Sequence, residues 1–418
     1  MAIYYIDPVG GNDAWDGLSP QQPKKDYTVL EVHPGDSVLF RRGTFLRCGL
    51  QTVEGTENAV VTYGAYGEGE APVFCGSTDA SRPENWVEAE PNIWRCLVDI
   101  PGEVGNFVFN EGDCTATFHW EKEELKAQGD FWDSRMLGEN EYRLRTEEVP
   151  QEVLLYSESN PALYYSHVEV VSFNERILAR LRSNMVFDGL RFINSGVHAC
   201  AGSGKNVTIR NCRIENIGGC AWNRTLRIRF GNGIEFWHYG EDILIENCVF
   251  KNIYDSCVTH QGAGSRTIPT NNFICRNNVF DTYGMAAFEY RDKLPIRSSF
   301  TDNTCLRAGC GFAMLGETLP RTSEIWPQPM GHHIFLWRIP EATEGGDLVI
   351  THNTFGPAPV GAAIYSIIDP AAEAQITLDY NTYTENSVLL NRFGGKNFTA
   401  LADYQKETGK DAHSTYAE

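Results

Sequence analysis

A short motif that returns at uneven intervals constrains this chain more than any other feature. "IENCVFKNI" (245–253), "CRNNVFDTY" (275–283) and "TDNTCLRAG" (301–309) each place Asn three residues before an apolar side chain. The pairs are Asn247 with Phe250, Asn277 with Phe280, and Asn303 with Leu306. Asn211 with Ile214 and Gly189 with Phe192 extend the series upstream, and Asn353 and Asn381 continue it more loosely downstream. From Gly189 to Asn303 the steps are 22, 36, 30 and 26 residues. A constant unit of roughly 22 residues with variable inserts is the signature of a solenoid, in which only the loops between strands can change length. β-rich runs such as "MVFDGLRFI", "NVTIRNC" and "DILIENC" alternate with Gly, Asn and Asp turns, so the repeating unit is made of strands. A propeller would need a regular period of about 40 residues, which is missing. The expected fold is all-β, a right-handed parallel β-helix. Asn residues recurring at one turn would stack into an amide ladder, with Cys212 and Cys248, each following its Asn, stacked beside it.

Four regions follow. Residues 1–75 read as an N-terminal cap with the first rungs. Residues 76–180 interrupt the repeat with Trp, Pro and charge ("NWVEAEPNIWRCLVDI", "HWEKEELKAQGDFWDSRML") and read as an antiparallel β excursion packed on the solenoid. Residues 181–395 form the main helix and 396–418 a C-terminal tail or cap. No amphipathic capping helix is legible between Pro23 and Val32, so capping by strands or by a partner chain in a homo-oligomer are both open.

With 55 acids against 35 bases the net charge is −20, which disfavours nucleic acid and anionic membrane surfaces as partners. No apolar run of about 18 residues suggests a membrane span. The N-terminus lacks the basic and apolar regions of an export signal, and the 12 cysteines show no metal-ligand spacing. A cytoplasmic protein with reduced, buried thiols is the expectation.

The opening "YYIDPVGGNDAWDGLSPQQP" followed by "HPGDSVLFRRG", then "QGDFW", "LYSESNPA", "GNGIEFW", "YDSCVTHQG" and "TGKDAHS", resemble the pectate-lyase-like superfamily of right-handed β-helix carbohydrate enzymes, and in particular its glycosidase-like members. The resemblance spans nearly the whole chain and implies a carbohydrate substrate. It leaves the reaction open, because the superfamily includes lyases, hydrolases, epimerases and binders.

In a solenoid, outward side chains on successive rungs line up about 4.8 Å apart. Alternation in "GNGIEFWH", "SCVTHQG" and "AAFEYRD" turns Ile234, Phe236, Val258 and Phe288 inward and Glu235, Thr259 and Glu289 outward. "GCGFAML" would supply the next rung, with Phe312 inside. Two carboxylates two rungs apart suit glycoside hydrolysis, which uses one as acid and the other as base or nucleophile. Apolar neighbours such as Phe236, Trp237 or Tyr290 would raise the pKa of the acid. An outward Glu on such a face is otherwise simply solvated. The candidate catalytic residues are Glu289 with either Asp255 or Glu235; Asp255, at the turn before its strand, could equally serve an Asx-type backbone bond.

The candidate substrate ligands are His260, Gln261, Arg229, Arg291, His238, Trp237 and Tyr290. Arg291 would hold a carboxylate or else pair with Asp292, and Arg227 with Arg229 would bind an anion or else pair with Glu241 or Asp255. The Trp-bearing, Pro-rich insert 316–340 would wall the groove. His332 and His333 alone make no metal site. The expected activity is a glycoside hydrolase on an oligosaccharide or polysaccharide, with no cofactor. The alternatives are a polysaccharide lyase on a uronate glycan, for which Ca²⁺ would enter, and a non-catalytic binder.

Overall fold

A computed structural model describes residues 1–136, 151–173, 177–223, 226–262, 264–310, 312, 330–359, 361–367, 369–385, 391–393 and 396–417. Its body is a parallel β-helix. Each complete coil runs through three strands, as in Ser256–Gln261, Asn271–Arg276 and Val279–Tyr283. The first two strands of successive coils build one 17-stranded sheet, sheet A, and the third strands build a 10-stranded sheet, sheet B. In two coils the first pair is continuous, giving the 13-residue strands His198–Arg210 and Ile234–Glu246. Inward side chains stack along the axis: Phe250 on Phe280 at 4.8 Å and Phe280 on Phe300 at 5.6 Å between ring centroids.

The turn between the second and third strands explains the repeated Asn, with a one-residue correction. Asn211, Asn247, Asn277, Asp302, His352 and Tyr380 occupy this corner with φ between 54° and 60°, a left-handed conformation that Asn and Asp tolerate best among residues with a side chain. The ladder is built by the next residue. Asn278 Nδ2 donates to Asn303 Oδ1 (3.0 Å), Asn303 to Asn353 (3.1 Å) and Asn353 to Asn381 (3.1 Å). So Asn277 and Asn303 are not equivalent. Phe280 pairs with Cys305 rather than Leu306, and Cys212 and Cys248 hold the ladder position in the earlier coils. A second, shorter ladder joins Asn194, Asn216 and Asn252. Nine of the 12 cysteines are buried, but Cys48 and Cys114 are exposed and Cys310 is half-buried.

The excursion leaves sheet B after Val73–Cys75 and returns to sheet A at Ile177–Leu181. It contains a four-stranded antiparallel sheet and a five-stranded sheet with one parallel pairing, Thr117–Phe118 with Asp130–Phe131. Its own core includes Trp86, Phe107, Phe118 and Phe131. Arg229 ties it to the solenoid, donating to the Gly219 carbonyl (2.6 Å) and the Gly105 carbonyl (2.9 Å) while lying over the Phe118 and Tyr254 rings. At the N-terminal end a 3-10 turn, Tyr27–Val29, lays Tyr27 on the core. At the other end the helix Leu401–Thr408 buries Leu401 and Tyr404, and Thr415–Tyr416 adds the last strand of sheet B.

Candidate active site

The register of sheet A sets the outward row. Glu235 pairs with Thr259, and Thr259 with Glu289. Ile234, Phe236, Val258 and Phe288 face the core. The two glutamates are thus two rungs apart, about 9–10 Å between backbones. The following rung is not "GCGFAML". Glu289 pairs with Phe335 in His332–Trp337, while Phe312 joins Val108, Val171 and Tyr254 under the excursion. Residues 313–329, which include Trp326 and most of the expected groove wall, lie outside the described residues.

The two glutamates sit in opposite electrostatic settings. Glu289 is fully buried; its Oε1 accepts from Trp337 Nε1 at 2.8 Å and its Oε2 from Ser256 Oγ at 2.7 Å. Burial pushes its carboxyl above the usual range, and the charge of Asp255 pushes it further. Those two hydrogen bonds and the Arg291 charge offset only part of this. Neutral Glu289 is what such surroundings favour. Burial acts on Glu235 too, but the adjacent His198 outweighs it and, with Asn232 and Trp237, holds the carboxyl at about 2. Its Oε2 lies 3.0 Å from His198 Nδ1 and accepts from Asn232 Nδ2 at 2.9 Å, and its Oε1 accepts from Trp237 Nε1 at 2.9 Å. His198 Nδ1 also lies 3.1 Å from the Asn232 main-chain N–H. That nitrogen can carry a proton for Glu235 or a lone pair for Asn232, not both. Glu235 is therefore a fixed anion, poorly suited to give up a proton. Asp255 is buried at the turn that starts Ser256–Gln261, and between the glutamates the Thr259 hydroxyl has no partner among the described residues.

Several expected ligands point elsewhere. His260 and Tyr290 alternate inward, pair in register and pack at 5.5 Å inside the coil. Tyr290 is a core residue bonded to Thr270 Oγ1. His260 is fully buried, and burial lowers its pKa to about 4. Neither residue can line an outward groove. Arg229, almost fully buried, belongs to the anchor of the excursion, and Arg227 pairs with Glu121. His333 is equally committed: Tyr283 Oη bonds its Nδ1, and its Nε2 lies 2.8 Å from the Gly356 carbonyl.

Trp237, Gln261, Arg291 and Trp337 form the next outward row. Arg291 stacks 5.5 Å above Trp337 and lies 3.6 Å from Asp292. His238, at the bend after Trp237, is exposed with φ of 62°. Sequence reasoning missed His198, Asn232 and Ser256, and read Trp337 as part of a loop rather than of a strand. His198 stands at the start of "HACAG", one rung before Glu235, where coil alignment would have found it. Trp337 fell within the insert 316–340, but it ends the strand His332–Trp337, because the insert displaces the rung by far more than one repeat. Among the described residues no group of three or more His, Cys, Asp or Glu forms a metal site.

Residues 153–318 match the family model of the right handed beta helix region. A search of curated proteins gave no match. Among solved structures, XylC in complex with xylose is 13% identical over 93% of this chain, with a TM-score of 0.51. The lacto-N-biosidase of glycoside hydrolase family 136 from Eubacterium ramulus is also 13% identical over 94% of this chain, with a TM-score of 0.48. This chain spans only 62% of the length of either structure. A structure described as a glycoside hydrolase is 11% identical over 98% of this chain, with a TM-score of 0.46. By fold, the chain is a right-handed parallel β-helix, and residues 153–318 carry the match to that family.

Proposed function

We propose that the chain is a glycoside hydrolase acting on an oligosaccharide at the outward row of sheet A. Glu289 is the proton donor and Asp255 the opposing carboxylate. The observation that carries this is the buried Glu289 carboxyl, raised both by its surroundings and by the charge of Asp255. A carboxyl pushed up by its surroundings is how a site supplies a general acid at neutral pH. Glu289 would protonate the glycosidic oxygen as the bond to the anomeric carbon breaks, and Asp255 would attack that carbon or take a proton from the attacking water. Glu235, locked on His198, Asn232 and Trp237, is a positioning residue that fixes the Trp237 ring beside the row. Trp237 and Trp337 offer flat apolar faces to sugar C–H groups, and Gln261 and Arg291 offer hydrogen bonds to hydroxyls.

The solved structure with the highest TM-score given above holds xylose, so xylose-containing oligosaccharides come first in the test. Reducing sugar and the ultraviolet absorbance of an unsaturated uronate are followed together on neutral and uronate substrates. Hydrolysis predicts reducing sugar without absorbance, falling about 10²–10⁴-fold in Glu289→Gln, the usual worth of a positioned acid. Absorbance rising in step would make the protein a lyase instead. Full activity in Glu289→Gln would refute the assignment.

A further inference from the structure

A second cleft, of about 610 Å³, opens on a different face, between sheet B and the excursion. Its floor is the outward side of Arg191–Ser195, Arg213–Ile217 and Val249–Ile253, and its wall includes Val108 and Glu169 of the antiparallel sheet. In the floor Arg191 pairs with Arg213 and Glu215 with Lys251 on adjacent rungs.

Two carboxylates are sunk beneath this surface. Glu215 accepts from Arg191 Nε and Arg213 Nη2, each at 2.6 Å. Glu169 accepts from Arg47 Nη1 and Nη2 at 2.6 and 2.7 Å and from Ser77 Oγ at 2.8 Å, and lies 2.7 Å from His167 Nε2. Both glutamates are buried, whereas the side chains of Arg47, Arg191 and Arg213 keep 36%, 35% and 45% of their surface exposed. The carboxylates thus hold the three guanidinium planes in place along the lining of the cleft. Arg191 gives only Nε to Glu215, leaving both Nη groups without a partner among the described residues.

The ladder Asn194–Asn216–Asn252 runs along the floor. Val73, Ile193 and the half-exposed ring of Phe45 supply apolar surface. Charge decides the kind of ligand. Four cations (Arg47, Arg191, Arg213, Lys251) face four carboxylates (Glu111, Asp113, Glu169, Glu215), a neutral balance in a chain of net charge −20. A polyanion would need surplus cations, whereas rigid donors, amides and one aromatic face suit an uncharged ligand rich in hydroxyls. The volume falls within the range of about 300–1,000 Å³ typical of small-ligand sites.

We propose that this cleft is a second carbohydrate-binding site, separate from the row of Glu289 and selective for a neutral oligosaccharide segment over a uronate one. The proposal does not depend on the roles of Glu289 or Asp255, so binding is measured in full-length Glu289→Gln, where turnover is not the readout. Xylohexaose, cellohexaose and hexagalacturonate are titrated by calorimetry. Phe45→Ala with Lys251→Ala, both at exposed positions, tests the cleft, and Arg213→Lys tests its fork geometry while keeping the charge. A neutral hexaose should bind, and the double variant should weaken it roughly tenfold, about 1.4 kcal/mol. Arg213→Lys should weaken it too. Unchanged titration in the double variant, binding of hexagalacturonate alone, or no binding of any of the three probes would each overturn the proposal.

Discussion

Glu235 offers a quantitative test of how this face is held together. Its carboxyl sits at about 2 in the folded protein against 4.5 for an unperturbed Glu. A depressed folded pKa means that the unfolded chain takes up protons first as pH falls. The stability from this group is therefore complete above the unfolded value and drains away as pH drops through 4.5 towards 2. The full difference corresponds to about 3 kcal/mol, and linkage places about 2 kcal/mol of it between pH 7 and pH 3. Glu235→Gln removes the titrating group. It also deprives His198 of its carboxylate, so at pH 7 the variant should be weaker by about 3 kcal/mol, the usual scale for breaking a buried pair. Urea unfolding read by tryptophan fluorescence at pH 7 and pH 3 separates the two effects. The gap between wild type and Glu235→Gln should be wide at pH 7 and close by about 2 kcal/mol at pH 3. A gap of the same size at both pH values would show that Glu235 is not held as an anion by His198, and the argument for its positioning role would fall.

Glu289 has the opposite sign. Its raised folded pKa means that the folded state keeps a proton the unfolded chain releases, so stability falls as pH rises above the ordinary Glu range. Glu289→Gln should accordingly melt higher than wild type at pH 7 in calorimetry while losing hydrolysis, and a lower melting temperature would contradict the electrostatic reading. Because the acid must carry its proton, the basic limb of kcat/KM should lie above the ordinary carboxylate range and disappear in Glu289→Gln. Asn303→Ala should cost about 3 kcal/mol in thermal unfolding, because it strands ladder neighbours Asn278 and Asn353 and the Cys275 carbonyl. Asn206→Ala, on a more exposed ladder contact with Asn184, should cost under about 1 kcal/mol. Arg229→Met should release the excursion, seen as faster limited proteolysis within 76–173 without loss of the solenoid's far-ultraviolet signal.

The repeat and the row Glu235–Thr259–Glu289 were legible because alternation and a conserved coil length act locally. The Asn ladder was misread by one position because two adjacent corner residues are both often Asn. "NN" at 277–278 contains one residue for the backbone bend and one for the ladder, and only register separates them. Phe312 was misassigned because an insert between coils leaves no local mark of where the next rung resumes. His260 and Tyr290 were read as ligands by residue type, though the alternation that turned Glu289 outward also turns Tyr290 inward. Arg229 was beyond sequence reasoning altogether, since its partner Gly105 lies in an excursion whose docking depends on tertiary packing.

The excursion also bears on how the molecule is made. Val61–Tyr66 and Met185–Asp188 are neighbouring strands in sheet A, yet Met185 follows Tyr66 by 119 positions. At translation rates of about 5–20 residues per second, the earliest rungs wait roughly 6–24 s for the strand that covers them. During that interval the edge at Val61–Tyr66 is open to pairing with any other extended chain. Only after the excursion has been synthesised can coils be added in sequence order, each on the one before. The nascent protein therefore carries this open sheet edge until Met185–Asp188 has been made and paired.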